Sequence, residues 1–332
     1  MKIGVLGTGT WGTALGRLLS NAGHDVMMWS PIDQEIRDLS TKRVHKNLPG
    51  MVIPDAIIFT GNLEEACRQK DIIVFAVPSV FVRNTAVQAK PYIPDNQLIV
   101  DVAKGIEPDT LLTMTGILQD VLQGHQRLVA LSGPTHAEEV ALDLLTTIVS
   151  ASRDEQAALT VQKVFSTPKM RVYTNKDILG VELCGALKNI VALASGIAKG
   201  QGYGDNARAA LITRGAVEIG RLGMKMGCKE RTFSGLAGVG DLIVTATSEH
   251  SRNNRAGYLI GTGLSVEQAV KEVGMVVEGI HAIPAAMKLS KEYDAEMPIV
   301  SAVNAVINEH KQPEDVIREL MEREEKSELN RY

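Results

Sequence analysis

Lys188 stands inside the apolar run Gly185-Ala186-Leu187-Lys188-Asn189-Ile190-Val191-Ala192, which reads as helix. Cys184, Val191 and Ala192 share its face at i−4, i+3 and i+4. None of them pairs a charge, and lysine is almost never fully buried without compensation. The amine therefore either snorkels to solvent or sits in a cleft with a lowered pKa, where it could give and take a proton. Further on, Gly235-Leu236-Ala237-Gly238-Val239-Gly240 brings Asp241 to the end of a small, flexible segment, with Thr245 about one turn beyond. Ser251-Arg252-Asn253-Asn254-Arg255 is a dense donor cluster. The planar fork of Arg252 fits a phosphate and Asn253 adds amide donors; a solvated basic turn is the plain alternative.

A different chemistry opens the chain. Met1-Lys2-Ile3-Gly4-Val5-Leu6 runs into Gly7-Thr8-Gly9-Thr10-Trp11-Gly12, a strand followed by G-x-G-x-x-G. Gly7 permits the tight turn, Gly9 lets backbone approach a pyrophosphate, and Gly12 lets the helix sit close to the sheet. The anion then meets unpaired N–H groups at a helix N-terminus. Behind the motif, Ala14, Leu15, Leu18, Leu19 and Ala22 form one helical stripe, Gly23 is a C-terminal stop, and His24–Trp29 reads as the second strand. This is a dinucleotide-binding βαβ unit, with NAD or NADP as the reagent. The acidic residue that usually closes the second strand is absent, and Ser30-Pro31-Ile32-Asp33 stands there. Ser30 reads as an N-cap with Pro31 at the first helical position and Asp33 at a capping-box-like spacing. Arg37, Lys42 and Arg43 follow, none where an NADP clamp is usually found. The choice between NAD and NADP stays open at this point.

The elements that must position these groups fall into two regions. In the first, Ile57–Phe59, Ile72–Val77, Leu98–Val102, Leu128–Leu131, Thr147–Ala151 and Arg171–Tyr173 read as strands alternating with helical patterns. Several are nearly continuous Val, Ile and Leu, as in parallel strands covered on both faces. The implied fold is an N-terminal Rossmann-like doubly wound sheet, whose ligands bind outside the carboxyl ends of its strands. Two such ends carry chemistry. Val102-Ala103-Lys104-Gly105 offers a lysine that could reach an anion, against the plain reading of a solvated side chain. Ser132-Gly133-Pro134-Thr135-His136-Ala137 could present hydroxyls and helix N–H groups to an oxyanion, or be an ordinary N-cap with Pro134 in the first turn.

From Ile178 onward the patterns are helical, with Leu242-Ile243-Val244 the one stretch that could be a strand. Asp205 or Asn206 can cap one helix, and Ser265-Val266-Glu267-Gln268 is a capping box for another. Glu322–Arg331 reads as a charge-rich helix end. The expected division is a dinucleotide-binding domain over 1–176 and an all-helical substrate and catalytic domain over 177–332.

The 332 residues, 45% hydrophobic and 22% charged, are those of an ordinary globular chain of two domains. A net charge of −4 argues against nucleic acid or a membrane surface as partner. Three cysteines, Cys67, Cys184 and Cys228, lack metal-ligand spacing, so no metal is expected and the chain reads as reduced and cytoplasmic. Val181–Ala198 is the most membrane-like window, but Glu182, Lys188 and Asn189 interrupt it, so a buried helix is expected rather than a span.

Taken in order, Gly7-Thr8-Gly9-Thr10-Trp11-Gly12, Ala103-Lys104-Gly105, Ser132-Gly133-Pro134-Thr135, Gly185-Ala186-Leu187-Lys188-Asn189, Gly238-Val239-Gly240-Asp241-Leu242 and Ser251-Arg252-Asn253 resemble the NAD(P)-dependent glycerol-3-phosphate dehydrogenases of bacterial type over essentially the full length. The resemblance implies that Lys188 is the catalytic acid and base, assisted by Asp241 and Lys104. It places Lys104, Gly133, Thr135, Asn189, Asp241, Thr245, Ser251, Arg252 and Asn253 around a small phosphorylated substrate. It places Gly7, Gly9, Thr10, Trp11, Gly12, Lys104, Ala137, Arg252, Val276 and Glu278 around the dinucleotide. Thr10 stands where serine is common, and Pro31 where relatives often carry a polar or basic cofactor contact. The implied reaction interconverts dihydroxyacetone phosphate and sn-glycerol 3-phosphate, a supply for phospholipid synthesis. On this reading Lys104 and partial desolvation lower the Lys188 pKa while Asp241 orients the amine. A homodimer is the assembly to test. The rivals are a lysine-dependent ketopantoate or β-hydroxyacid reductase of similar architecture and a non-catalytic NAD(P)-sensing module.

Overall fold

The computed structural model describes residues 1–325, 327 and 328. The chain divides into two compact units, one formed by Met1–Glu107 with Leu112–Glu182, the other by Pro108–Leu111 with the chain from Leu183 onward. The first unit alternates strands and helices: β1 (Lys2–Leu6), α1 (Thr10–Asn21), β2 (Asp25–Trp29), α2 (Asp33–Lys42), β3 (Ile58–Thr60), α3 (Leu63–Cys67), β4 (Ile72–Phe75), α4 (Val82–Ala89), β5 (Leu98–Asp101), α5 (Met114–Leu122), β6 (Arg127–Ser132), α6 (Ala137–Ala141), β7 (Thr146–Ala151), α7 (Glu155–Phe165) and β8 (Met170–Asn175).

These eight strands form one sheet in the order β3-β2-β1-β4-β5-β6-β7-β8. Because both faces are covered, alternate residues of a strand serve different layers. Ile3 and Val5, Ile72 and Val74, and Leu98 and Val100 pack with Leu15, Val140, Val161 and Phe165 of α1, α6 and α7. Leu6, Ile73, Phe75 and Ile99 pack with Val82, Ala86, Ile117 and Leu118 of α4 and α5. Each such side chain, fully buried, contributes about 1.5–3 kcal/mol.

β1 to β6 are parallel, as their apolar runs suggest, but β7 is antiparallel to β6 and β8 runs with β7. Short α6 remains near the carboxyl end of β6; the chain turns at Asp143, with φ of 56°, and β7 runs back from there. An apolar strand covered on both faces carries no mark of its direction, so the pattern alone could not distinguish the two senses.

The second unit is helical among the described residues. It contains α8 (Ile178–Gly200) from Leu183 onward, then α9 (Asp205–Lys225), α10 (Glu230–Phe233), α11 (Asp241–Thr247), α12 (Arg252–Gly261), α13 (Val266–Val273), α14 (Glu278–Glu292), α15 (Pro298–Ile307) and α16 (Pro313–Met321). The change of unit falls inside α8, after Glu182, whereas the sequence pattern puts it at the helix start. The side chain of Glu182 explains this: it accepts from Thr115 N–H at 2.8 Å, Thr115 Oγ1 at 2.6 Å and Thr113 Oγ1 at 2.9 Å, supplying acceptors at the N-terminus of α5. α8 is long and apolar enough to cross a membrane, and its apolar window is 94% buried.

α8 and α12 approach closely enough to need glycine on both sides. A Cβ on Gly196 would lie 2.1 Å from Asn254 O, and one on Gly257 would lie 2.1 Å from Leu193 O. This contact fixes α12 against the last turns of α8. Several local expectations differ in detail. The capping box of Ser265 and Gln268 is formed. α9 begins at Asp205 with Gly204 at its cap and no side-chain cap bond, so neither Asp205 nor Asn206 caps it. Leu242-Ile243-Val244 is helical, as part of α11, entered through a π-helical turn at Leu236–Gly240. α16 ends at Met321, and the expected charge-rich helix end over 322–331 falls partly outside the described residues.

Candidate functional site

In the first unit the glycine turn joins β1 to α1. Gly7 has φ of +122°, and a Cβ there would lie 2.6 Å from Ala76 O. Gly12 touches the turn itself, since its Cβ would lie 2.4 Å from Gly7 O. At Gly9 a Cβ would meet nothing within 4 Å. Gly9 is also the N-cap of α1 and carries no side chain to occupy the helix's first N–H groups. Open space in front of free helix donors fits the pyrophosphate of a dinucleotide. Thr10 opens α1, and Trp11 lies half-buried against the core.

Two other strand ends of this unit are tied together. Lys104 Nζ donates to Gly133 O at 3.2 Å, and Thr135 Oγ1 donates to the same oxygen at 3.1 Å. α6 starts at Ala137, with His136 at its cap, so Pro134 precedes the helix rather than opening it. The segment Gly133–Thr135 is therefore a loop that presents one shared carbonyl.

The end of β2 also departs from expectation. The cap of α2 is Ile32, and the helix starts at Asp33 rather than at Pro31. Ser30 Oγ instead accepts from Ile32 N–H at 3.2 Å and donates to Glu35 Oε2 at 2.8 Å. Thr8 Oγ1 donates to the same Glu35 oxygen at 2.8 Å. Sequence reasoning missed Glu35 because it looked for an acid on the strand's last position. The available signal was a glutamate in the first turn of the helix after a strand-closing serine.

In the second unit Lys188, Asp241 and Thr245 converge, each 5% exposed or less. Lys188 Nζ donates to Asp241 Oδ1 and, at 2.5 Å, to Thr245 Oγ1; Thr245 Oγ1 donates to Asp241 O at 2.6 Å. α8 supplies the lysine and α11 both partners, so the amine is buried and compensated rather than snorkelling. A neighbouring chain of bonds holds the amides: Asn253 Nδ2 donates to Asn189 Oδ1 at 3.0 Å, and Gly279 N–H donates to Asn253 Oδ1 at 2.8 Å. Ser251 caps α12 by accepting from Asn254 N–H. Arg252 stays outside the lysine network; it is exposed, and its Nη1 donates to Val276 O at 3.3 Å. Glu278 opens α14 directly beyond. The three cysteines are buried and outside any disulfide, and no metal-ligating cluster occurs among the described residues. An ammonium fixed between a carboxylate and a hydroxyl can stabilise a developing alkoxide and pass it a proton.

Comparison with known proteins bears on both units. Residues 2–158 match the family model of the NAD-dependent glycerol-3-phosphate dehydrogenase N-terminus, and residues 177–318 that of its C-terminus. The chain is 64% identical to glycerol-3-phosphate dehydrogenase (NAD(P)+) 2 of Lactobacillus delbrueckii subsp. bulgaricus, over 99% of each chain. It is 48% identical to glycerol-3-phosphate dehydrogenase (NAD(P)+) of Bacillus subtilis, over 97% of this chain and 94% of that one. The crystal structure of glycerol-3-phosphate dehydrogenase from Coxiella burnetii superimposes with a TM-score of 0.93 at 34% identity, over 97% of this chain and 99% of that one. A ketopantoate reductase from Ralstonia eutropha, at 15% identity and a TM-score of 0.61, shares the fold alone.

Proposed function

The chain belongs to the NAD-dependent glycerol-3-phosphate dehydrogenase family, and from that premise we propose how its residues carry the reaction. It is an NAD(P)-dependent oxidoreductase interconverting dihydroxyacetone phosphate and sn-glycerol 3-phosphate. When bound, the nicotinamide supplies or accepts the hydride. Gly7, Gly9 and Gly12, with the first N–H groups of α1, hold the pyrophosphate. Thr10, Trp11, Lys104, Ala137, Arg252, Val276 and Glu278 complete the cofactor contacts. Lys188 donates a proton to the carbonyl oxygen on reduction and withdraws it on oxidation. Asp241 and Thr245 aim the amine at that oxygen. Arg252 and Asn253, with Ser251 as the cap beneath them, take the phosphate, so binding energy remote from the reacting carbon is spent on orientation. Asn189, Gly133, Thr135 and Lys104 meet the remaining oxygens of the substrate.

The observation that carries this reading is the buried Lys188–Asp241–Thr245 group, a charged constellation that a nucleotide-sensing module would not need. The accompanying expectations are a cytoplasmic location, a homodimer, and a product that feeds phospholipid synthesis. The test is reduced-cofactor consumption by the purified chain with dihydroxyacetone phosphate, ketopantoate or a β-keto acid. Turnover with dihydroxyacetone phosphate is expected. Preference for a carboxylate substrate, or nucleotide binding without turnover of any carbonyl, would replace it with one of the rivals.

A further inference from the structure

Building on the dehydrogenase reading, we propose that Glu35 makes this chain prefer NAD(H) to NADP(H). In a dinucleotide-binding βαβ unit the adenosine ribose lies at the carboxyl end of the second strand, beside the glycine turn, and an acid there pairs with its 2′-hydroxyl. β2 ends at Trp29 without one. The carboxylate arrives from the first turn of α2 instead. Its Oε2 accepts from Thr8 Oγ1 and from Ser30 Oγ, each at 2.8 Å. Thr8 stands between Gly7 and Gly9, and Ser30 follows β2 directly, so the two bonds fix the carboxylate at both landmarks.

Burial sharpens the point. Thr8 and Ser30 are 3% and 2% exposed, whereas Glu35 is exposed. Two buried hydroxyls thus hold an accessible anion in place. Both bonds fall on Oε2, which leaves Oε1 able to accept from a ribose hydroxyl. A 2′-phosphate would instead meet a fixed negative charge.

Three of the cations that follow Glu35 in the chain already have partners. Arg43 donates to Ile57 O at 2.8 Å and Pro54 O at 3.3 Å, and lies 3.8 Å from Asp55. Lys42 pairs with Asp38 at 2.8 Å, and Arg37 reaches Gln34 at 3.2 Å. The adjacent His45 imidazole is pushed below its ordinary value by burial, against an opposing pull from the Thr8 backbone and the Glu35 carboxylate.

The test is equilibrium binding of NADH and NADPH to the full chain, followed by nicotinamide fluorescence without substrate. The wild type should bind NADH at least about tenfold more tightly, the scale of one charged hydrogen bond gained or opposed. Glu35→Gln, with an unchanged thermal midpoint, should narrow that ratio about tenfold or more. Ser30→Ala, which removes one anchor and keeps the charge, should narrow it less. Equal or inverted affinities in the wild type, or an unchanged ratio in folded Glu35→Gln, would overturn the assignment. Failure of the wild type to bind either nucleotide would instead bring down the dehydrogenase reading beneath it.

Discussion

The two units present their candidate groups by opposite means. The first builds its proposed nucleotide cradle from backbone: glycines with no side chain and open helix N–H groups. The second builds its proposed reactive centre from side chains withdrawn from water, with Lys188 and Asp241 at 5% and 1% exposure. A backbone cradle costs little to form, because its donors are left over from helix formation in any case. A buried ion pair must be compensated at both ends, and removing one partner costs about 3–5 kcal/mol. Blocking the open helix donors of the first region should therefore cost function without stability, and breaking the ion pair of the second should cost both.

Lys188→Met puts that contrast to its hardest test. The variant should lower kcat by about 10²–10⁴, the range for one general acid–base group, with nucleotide affinity unchanged. It should also lose about 3–5 kcal/mol of stability, because Asp241 is left buried without its ammonium partner. Adding Asp241→Asn should recover most of that stability and none of the rate. A double variant that regains activity along with its thermal midpoint would make Lys188 a structural group only.

The complementary experiment lies in the glycine turn. Gly9→Ser meets no neighbouring atom, and serine is a good N-cap, so the thermal midpoint should hold or rise slightly. Its hydroxyl now satisfies the helix donors and occupies the anion's place, so nucleotide affinity should fall about tenfold to a hundredfold. Gly12→Ala should do the reverse at the level of stability. Its Cβ would lie 2.4 Å from Gly7 O, and overpacking of this kind costs about 1–3 kcal/mol. Denaturant midpoints and fluorescence titrations on both variants separate the two outcomes. A stable Gly12→Ala with intact binding would mean that the turn can relax.

The same contrast explains what could be read from the residues in order. The cradle is local: Gly7, Gly9 and Gly12 sit within one turn, so their spacing states their use. The reactive centre is not. Lys188, Asp241, Asn253 and Gly279 come from four different helices, and nothing in the period of α8 reveals that a carboxylate will meet its lysine. Only the motif resemblance gathered Lys188, Asp241 and Asn253 beforehand, and Gly279 was not among them. Glu35 escaped for a related reason, since its two hydroxyl donors come from Thr8 and Ser30 on separate strand ends. The direction of β7 was silent because burial on both faces erases the alternation that would orient it.

The most gradual effect concerns a carboxyl that the first unit buries with little compensation. Asp101 closes β5, and among the described residues its carboxyl oxygens meet no donor in full hydrogen-bond geometry. Burial, reinforced by the neighbouring Glu182 carboxylate, holds it well above the ordinary carboxylate range, against a weaker pull from the Ala103 amide. Glu182 is also raised by burial, but three donors oppose the shift, so the two buried carboxyls differ in how far hydrogen bonds satisfy them. The sign follows from linkage. A carboxyl whose folded pKa exceeds its unfolded one binds its proton more tightly when folded, so its contribution is complete below the unfolded value of about 3.9 and is lost as pH rises through the folded value. Asp101→Asn keeps the shape and removes the titration. The variant should gain on the wild type as pH is raised above the unfolded value, by at most about 1.4 kcal/mol per pH unit, until the folded Asp101 itself ionises. Thermal midpoints of the two proteins from pH 4 upward would show the gap opening in that direction. A gap that stayed constant, or closed with rising pH, would mean that Asp101 finds a partner in solution and that the first unit compensates its buried charge as fully as the second.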